Sequence, residues 1–167
     1  MKLMKVRKRI VYTSVVFALL FAFVFPVSAA EKDSGVPSLS YIEEVFEDGS
    51  YFQVTIMETS SDAVRRATNT KTGSKVYNYV DSNHKSLWTI TVKGSFTYNG
   101  STSKCTNSSV SVKSYVSNWT VSGAKAWKSG STAYASAQGK MKNVLGQTTK
   151  TVNKQVSLTC SPSGKLS

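Results

Sequence analysis

The chain is predicted to fold as an all-β protein, an antiparallel β-sandwich of immunoglobulin-like or similar Greek-key type tied by a single disulfide. Three observations carry that expectation. From Leu87 to Tyr98, Trp88, Ile90, Val92, Phe96 and Tyr98 alternate strictly with Thr89, Thr91, Lys93, Ser95 and Thr97, the period-two pattern of a half-buried strand. Further alternating segments recur at spacings of about ten residues, punctuated by Gly and Asn turns, as sandwiches and barrels require. Two cysteines, Cys105 and Cys160, form the even pair that an exported chain ordinarily oxidises.

Lys2, Lys5, Arg7, Lys8 and Arg9 precede an uncharged run from Ile10 to Phe25, which Pro26 and the small residues Ser28, Ala29 and Ala30 close. This is the order of a secretory signal peptide, expected over residues 1–30 with cleavage after Ala29 or Ala30. The run is shorter than the roughly 20 residues a spanning helix needs, so no stable membrane insertion is expected after cleavage. The segment Ser161–Ser167 has neither an apolar tail nor a sorting-type pentapeptide. The expectation is a secreted product, at most loosely associated with the cell wall.

Residues 31–40 read as a disordered linker and residues 41–74 as an N-terminal hairpin followed by a polar connection. Asp48-Gly49 supplies a tight turn between Tyr41–Phe46 and Tyr51–Glu58. A competing reading makes Ser40 the N-cap of a short helix with Glu43 at its third position. Residues 75–167 read as a basic β domain. In it Val76–Val80 is a strand, Asp81–Lys85 a turn and Leu87–Tyr98 the principal strand, where Gly94 marks a bulge or a close backbone approach. Asn99–Asn107 is a loop, and Val110, Val112, Val116, Trp119 and Val121 form one or two strands. Ala133, Ala135, Ala137 and Gly139 suit a strand lying close under another sheet. Thr148–Cys160 is the last strand, with Val152, Val156, Leu158 and Cys160 on one face. Trp88 and Trp127 are candidate core pillars.

Charge divides the chain. It holds 21 basic and 9 acidic residues, but five of the basic ones belong to the leading segment, so the remainder carries 16 against 9, a net of +7. All nine acids lie within residues 31–81. From Ser82 to Ser167 there are eleven lysines and no Asp, Glu or Arg. That half holds no carboxylate dyad, Ser-His-Asp relay or calcium site of its own. Two cysteines and one histidine are too few for a closed zinc site, and no cofactor is expected.

Each chemical candidate has a plainer counterpart. His84, the single histidine, lies in a turn beside Asp81, where a histidine is ordinarily a solvated loop residue; as a base it would need a nucleophile within reach. A Cys–His nucleophile competes with the expected disulfide between Cys105 and Cys160. Self-formed Lys–Asn crosslinks need a carboxylate that only the 31–81 segment supplies. Asn99, Asn107 and Asn118 open Asn-x-Ser/Thr triplets, glycan acceptors only in a eukaryotic secretory host. Lys125, Lys128, Lys140 and Lys142 are candidate contacts to an anionic polymer, against the plainer view of lysines that solubilise and protect strand edges. The absence of Arg after Arg66 disfavours nucleic acid. Trp119 and Trp127, in polar surroundings, are candidates for stacking on sugar rings.

Thr70–Lys75, Val92–Cys105, the Ala/Ser/Lys stretch around Trp127–Gly130 and Val156–Leu166 together resemble a family of small secreted β-rich proteins of Gram-positive bacteria with no assigned function. The resemblance covers most of residues 68–167; it implies a paired-cysteine β domain and supplies no active site. The functional expectation is an exported, non-enzymatic β-sandwich meeting the cell envelope or an extracellular anionic or carbohydrate partner. The alternative is a secreted effector, a bacteriocin-like toxin or a small hydrolase.

Overall fold

Eight strands run in chain order: β1 Val36–Val45, β2 Tyr51–Thr59, β3 Asn69–Val80, β4 Ser86–Tyr98, β5 Ser103–Ser114, β6 Trp119–Ser129, β7 Thr132–Lys142 and β8 Thr148–Thr159. They come from a computed structural model that describes residues 36–59 and 68–167. The expected signal peptide, residues 31–35 of the expected linker and the Arg65-Arg66 pair lie outside the described residues. Among the described residues there is no helix, which settles Ser40 as a strand residue rather than an N-cap.

The strands form two antiparallel sheets, β1-β2-β3-β4-β5 and β6-β7-β8, whose buried side chains share one core. Every hydrogen-bonded neighbour is a neighbour in sequence. The molecule is therefore a meander folded into two layers, and the Greek-key expectation is corrected. The physical reason lies in the connections: those among the described residues are turns of two to five residues, too short to carry a strand past its neighbour.

Alternation decides which faces meet. Phe52, Val54 and Ile56 of β2, Tyr77 and Tyr79 of β3, and Trp88, Ile90, Val92 and Phe96 of β4 are buried on the inner face of the five-stranded sheet. Opposite them lie Ala133, Ala135 and Ala137 of β7 and Val152, Val156 and Leu158 of β8. The small side chains of β7 let the sheets approach closely: a Cβ placed on Gly139 would come within 2.5 Å of the Trp88 ring. At Gly94 an added Cβ would meet Phe96 at 2.5 Å and Ala133 at 3.0 Å, and a bulge follows between Ser95 and Phe96.

Three boundaries move. β1 starts at Val36, inside the expected linker, because Val36–Leu39 pairs with Ile56–Glu58 across a bulge. β3 starts at Asn69 rather than Val76, its polar first half pairing with β4 from Tyr98 to Lys93. β5 starts at Ser103, so Cys105 is a strand residue. In each case ladder hydrogen bonding to a neighbour overrides a polar sequence.

Trp119 leaves the stacking role expected of it, and of the two roles expected of Trp127, core pillar and ring stacking, the first is corrected. Trp119 is 4 % exposed and packs on Tyr79 and Trp88 at centroid distances of 5.4 and 6.5 Å, so it is a core residue and not a ligand-stacking one. Trp127, expected as a core pillar, is 39 % exposed.

The disulfide is also corrected. Cys105 and Cys160 are buried free thiols and do not stand within disulfide distance. Cys105 belongs to β5, and Cys160 follows β8 in the other sheet. The β6–β7 turn lies between them, Gly130 O accepting from the Cys105 amide and Ser131 O from that of Cys160. Each thiol turns to a carbonyl of its own segment, Asn107 O at 3.2 Å and Ser161 O at 3.5 Å. Burial pushes both thiols up from their ordinary pKa, against the opposing fields of Lys128 and Lys71, and holds them in the neutral form.

Candidate ligand-binding face and the charged seam

The outer face of the three-stranded sheet follows from the register of β7. Because Ala133, Ala135 and Ala137 point inward, Tyr134, Ser136, Gln138 and Lys140 point out, and cross-strand partners share their face. Four rows result: Trp127–Tyr134–Ser157, Lys125–Ser136–Gln155, Ser122–Gln138–Asn153 and Thr120–Lys140–Thr151. The Trp127 and Tyr134 rings stack with centroids 5.4 Å apart and an interplanar angle of 5°. Gln138 donates to Asn153 at 2.7 Å, leaving a carbonyl on one amide and an N–H on the other for a further partner.

Between Ser122 and Lys125 β6 loses register with β7, and the gap opens a depression of about 410 Å³ lined by Gly123, Lys125, Ser136, Gln138, Asn153 and Gln155, among others. Of the four lysines expected to meet an anionic polymer, Lys125 and Lys140 stand on this face. Neither forms an ion pair among the described residues, since the sheet's own sequence contains no carboxylate. Lys128 is committed elsewhere, donating to Thr106 O. Lys142 lies at the end of β7, beside the following turn.

A second group of lysines has the opposite fate. Lys150 and Lys154 of β8 share the inward face with Val152 and Val156, and their stems cover the aromatic edge of the core. The Lys154 ammonium lies 4.4 Å from the Phe52 ring centroid and 5.1 Å from that of Tyr77. It pairs with Glu43 at 3.1 Å and Glu44 at 2.9 Å. Lys150 pairs with Asp48 and lies over Phe46 and Tyr79 at 5.7 and 5.5 Å. The acidic first hairpin and the acid-free last strand thus form two sides of one seam, with Lys71–Glu58 at 2.9 Å beyond it.

The Asp48 end of the seam holds a serine that sequence reasoning passed over. Ser50, 4 % exposed, meets Tyr79 OH at 2.6 Å and Asp48 Oδ1 at 2.5 Å, with the Lys150 ammonium at 3.5 Å. Burial opposes the charge on Lys150, but the Asp48 hydrogen bond and Tyr79 hold its pKa above the ordinary lysine value. The ammonium keeps its proton, so this lysine does not serve Ser50 as a base. The Lys150 hydrogen bond and those from Ser50 lower Asp48 to about 2. Tyr77 is raised by burial and by the Glu43 charge. The arrangement is that of a clamp, with each polar atom holding its neighbour. Adjacent strands alone would not have pointed to Ser50, because Asp48 and Lys150 are 102 residues apart.

His84 is exposed, its Nδ1 3.0 Å from Tyr51 OH. Among the described residues no group of three or more His, Cys, Asp or Glu is placed to hold a metal ion. Comparison with protein-family models, with curated proteins and with solved structures finds no match to this chain.

Proposed function

We propose that the outer face of the three-stranded sheet binds an extracellular glycopolymer that carries negative charge, as an exported, non-enzymatic recognition module. The carrying observation is the outward Trp127–Tyr134 stack, in register with unpaired Lys125 and a row of amides on an acid-free sheet. A flat indole offers the face of a sugar ring a dispersion contact, and the amides and hydroxyls of Gln138, Asn153, Gln155 and Ser136 match its hydroxyls. Lys125 and Lys140 meet phosphate or carboxylate groups along the polymer without an internal acid to compete. A sheet face, open along its length, suits a chain better than a small molecule, which is ordinarily held in a concave site.

The test is binding of the purified protein to isolated Gram-positive walls and to a soluble glycerol-phosphate wall polymer, at low and high salt. Wild type is expected to bind with an affinity that falls as salt rises. Trp127→Ala should weaken binding by about tenfold, the scale of one aromatic contact of about 1.4 kcal/mol. Lys125→Gln with Lys140→Gln should flatten the salt dependence. Absence of binding at low ionic strength, or a Trp127→Ala variant that binds like wild type, overturns the reading.

A further inference from the structure

The fold uses one turn four times. At 46–50, 81–85, 143–147 and 161–165 the first residue's N–H donates to the fifth residue's carbonyl, and the fourth residue's N–H donates back to the first residue's carbonyl. In all four the fourth residue has positive φ: Gly49 at 77°, His84 at 62°, Gly146 at 79° and Gly164 at 85°. The second and third positions form the tip and face solvent, so the turn asks nothing apolar of them. Three copies carry Glu47-Asp48, Ser82-Asn83 and Pro162-Ser163. The β7–β8 copy carries Val144-Leu145, with relative exposures of 102 % and 79 %.

Two adjacent aliphatic side chains at full exposure are not needed to form this turn, since its sister copies form it with polar residues. Nor is the tip loose: Asn143 Oδ1 accepts from the amides of Leu145 and Gln147 at 3.0 and 2.9 Å, and the Asn143 amide donates to Gln147 Oε1 at 3.0 Å. Lys140 and Lys142 stand on the stem, without ion pairs among the described residues. Tyr115, 48 % exposed under the ammonium of Lys113, lies in the β5–β6 connection at the same end of the meander. Of the acids at that end, Asp48 pairs with Lys150, Asp81 accepts the amides of Asn83 and Lys85, and Glu47 stands exposed at the 46–50 tip of the other sheet.

We propose that this end of the sandwich docks on an anionic lipid surface, with Val144 and Leu145 entering the interface and Lys140, Lys142 and Lys113 meeting the headgroups. A convex two-residue tip presents far too little area for a stable protein interface, which buries about 1,200 Å² or more. It suits a soft apolar layer under negative charge, where aliphatic burial and lysine attraction act together. The depression of about 800 Å³ beside the tip is lined by Ser117, Asn118, Lys142 and Asn143 together with Met141 and Val144.

The test is co-sedimentation with phosphatidylglycerol/phosphatidylcholine vesicles and with phosphatidylcholine alone. It uses the 33–167 unit, which contains every core residue; a thermal melt verifies that each variant is folded. Wild type is expected to bind the anionic vesicles preferentially and to lose binding with salt. Val144→Ser with Leu145→Ser should weaken partitioning about tenfold or more, and Lys140→Gln with Lys142→Gln several-fold with a shallower salt slope. Trp127→Ala should leave vesicle binding unchanged, which separates this surface from the glycopolymer face. Equal binding by the serine double variant, or no preference for anionic vesicles, overturns the proposal. So does an ultracentrifugation result in which wild type self-associates and the serine variant is monomeric, which would assign the tip to a second copy of this chain.

Discussion

His84 departs from the rule its own molecule sets. Its three sister positions hold glycine, for which a positive φ has no steric cost, whereas a side chain in the left-handed region costs about 1 kcal/mol. His84→Gly is therefore expected to raise thermal stability by up to about 1 kcal/mol, less whatever the Tyr51 contact returns; a melt of both proteins measures it. Leu166 shows the opposite economy. It is 5 % exposed, and a Cβ on Gly73 would fall 2.2 Å from its Cδ1, so the leucine fills a hollow that only glycine leaves. Leu166→Ala should cost about 2–4 kcal/mol by denaturant unfolding, as for other buried leucines. Neither residue announces its role locally: histidine in a polar turn and leucine near a chain end are ordinary until the φ angle and the packing partner are known.

At the scale of elements, the first hairpin joins the sandwich through the β2–β3 ladder and the buried Phe52, Val54 and Ile56, and its acids add a tie to the opposite sheet. β1 is an edge strand, and Leu39, Ile42 and Val45 are exposed along it. Asp48 with Lys150, and Glu43 and Glu44 with Lys154, supply the cross-sheet attachment. The Asp48 carboxyl lies at about 2 when folded, below its ordinary value of 3.8. A depressed pKa contributes stability above the unfolded value and loses it as pH falls through the folded one. Unfolding midpoints should accordingly drop between about pH 4 and pH 2, and Asp48→Asn should flatten that part of the profile while lowering stability at neutral pH. Because Asp48 is more than half exposed, solvent screening keeps its share modest, and the comparison of slopes, rather than the absolute loss, is the informative reading.

The whole molecule gives the charge asymmetry a second meaning. The eleven lysines after Ser82 are not one cationic surface. Lys150 and Lys154 turn inward to the acids of the first hairpin, Lys128 serves a carbonyl, and Lys125 and Lys140 stand uncompensated on an outer face. Spacing in sequence separates them by only a few residues, so composition alone averages them into one positive half. The sorting comes from strand parity combined with which sheet lies opposite, and both are properties of the assembled sandwich.

Alternation and turn chemistry by themselves determined the all-β class, the strands around Leu87–Tyr98, Ala133–Gly139 and Thr148–Cys160, and the turns at Asp48-Gly49 and Asp81–Lys85. Those signals are local: a side chain's parity along a strand and a residue's tolerance of a given φ are written within a few positions. What lay across the molecule only the tertiary structure decided. The cysteines form an even pair on paper, yet the β6–β7 turn passes between them. Trp119 and Trp127 both sit in polar sequence, yet one falls on the inner face and the other on the outer, because β6 begins at the core and slips register at Gly123. Contacts between residues a hundred positions apart depend on how two sheets superpose, and no pattern within either strand encodes that superposition.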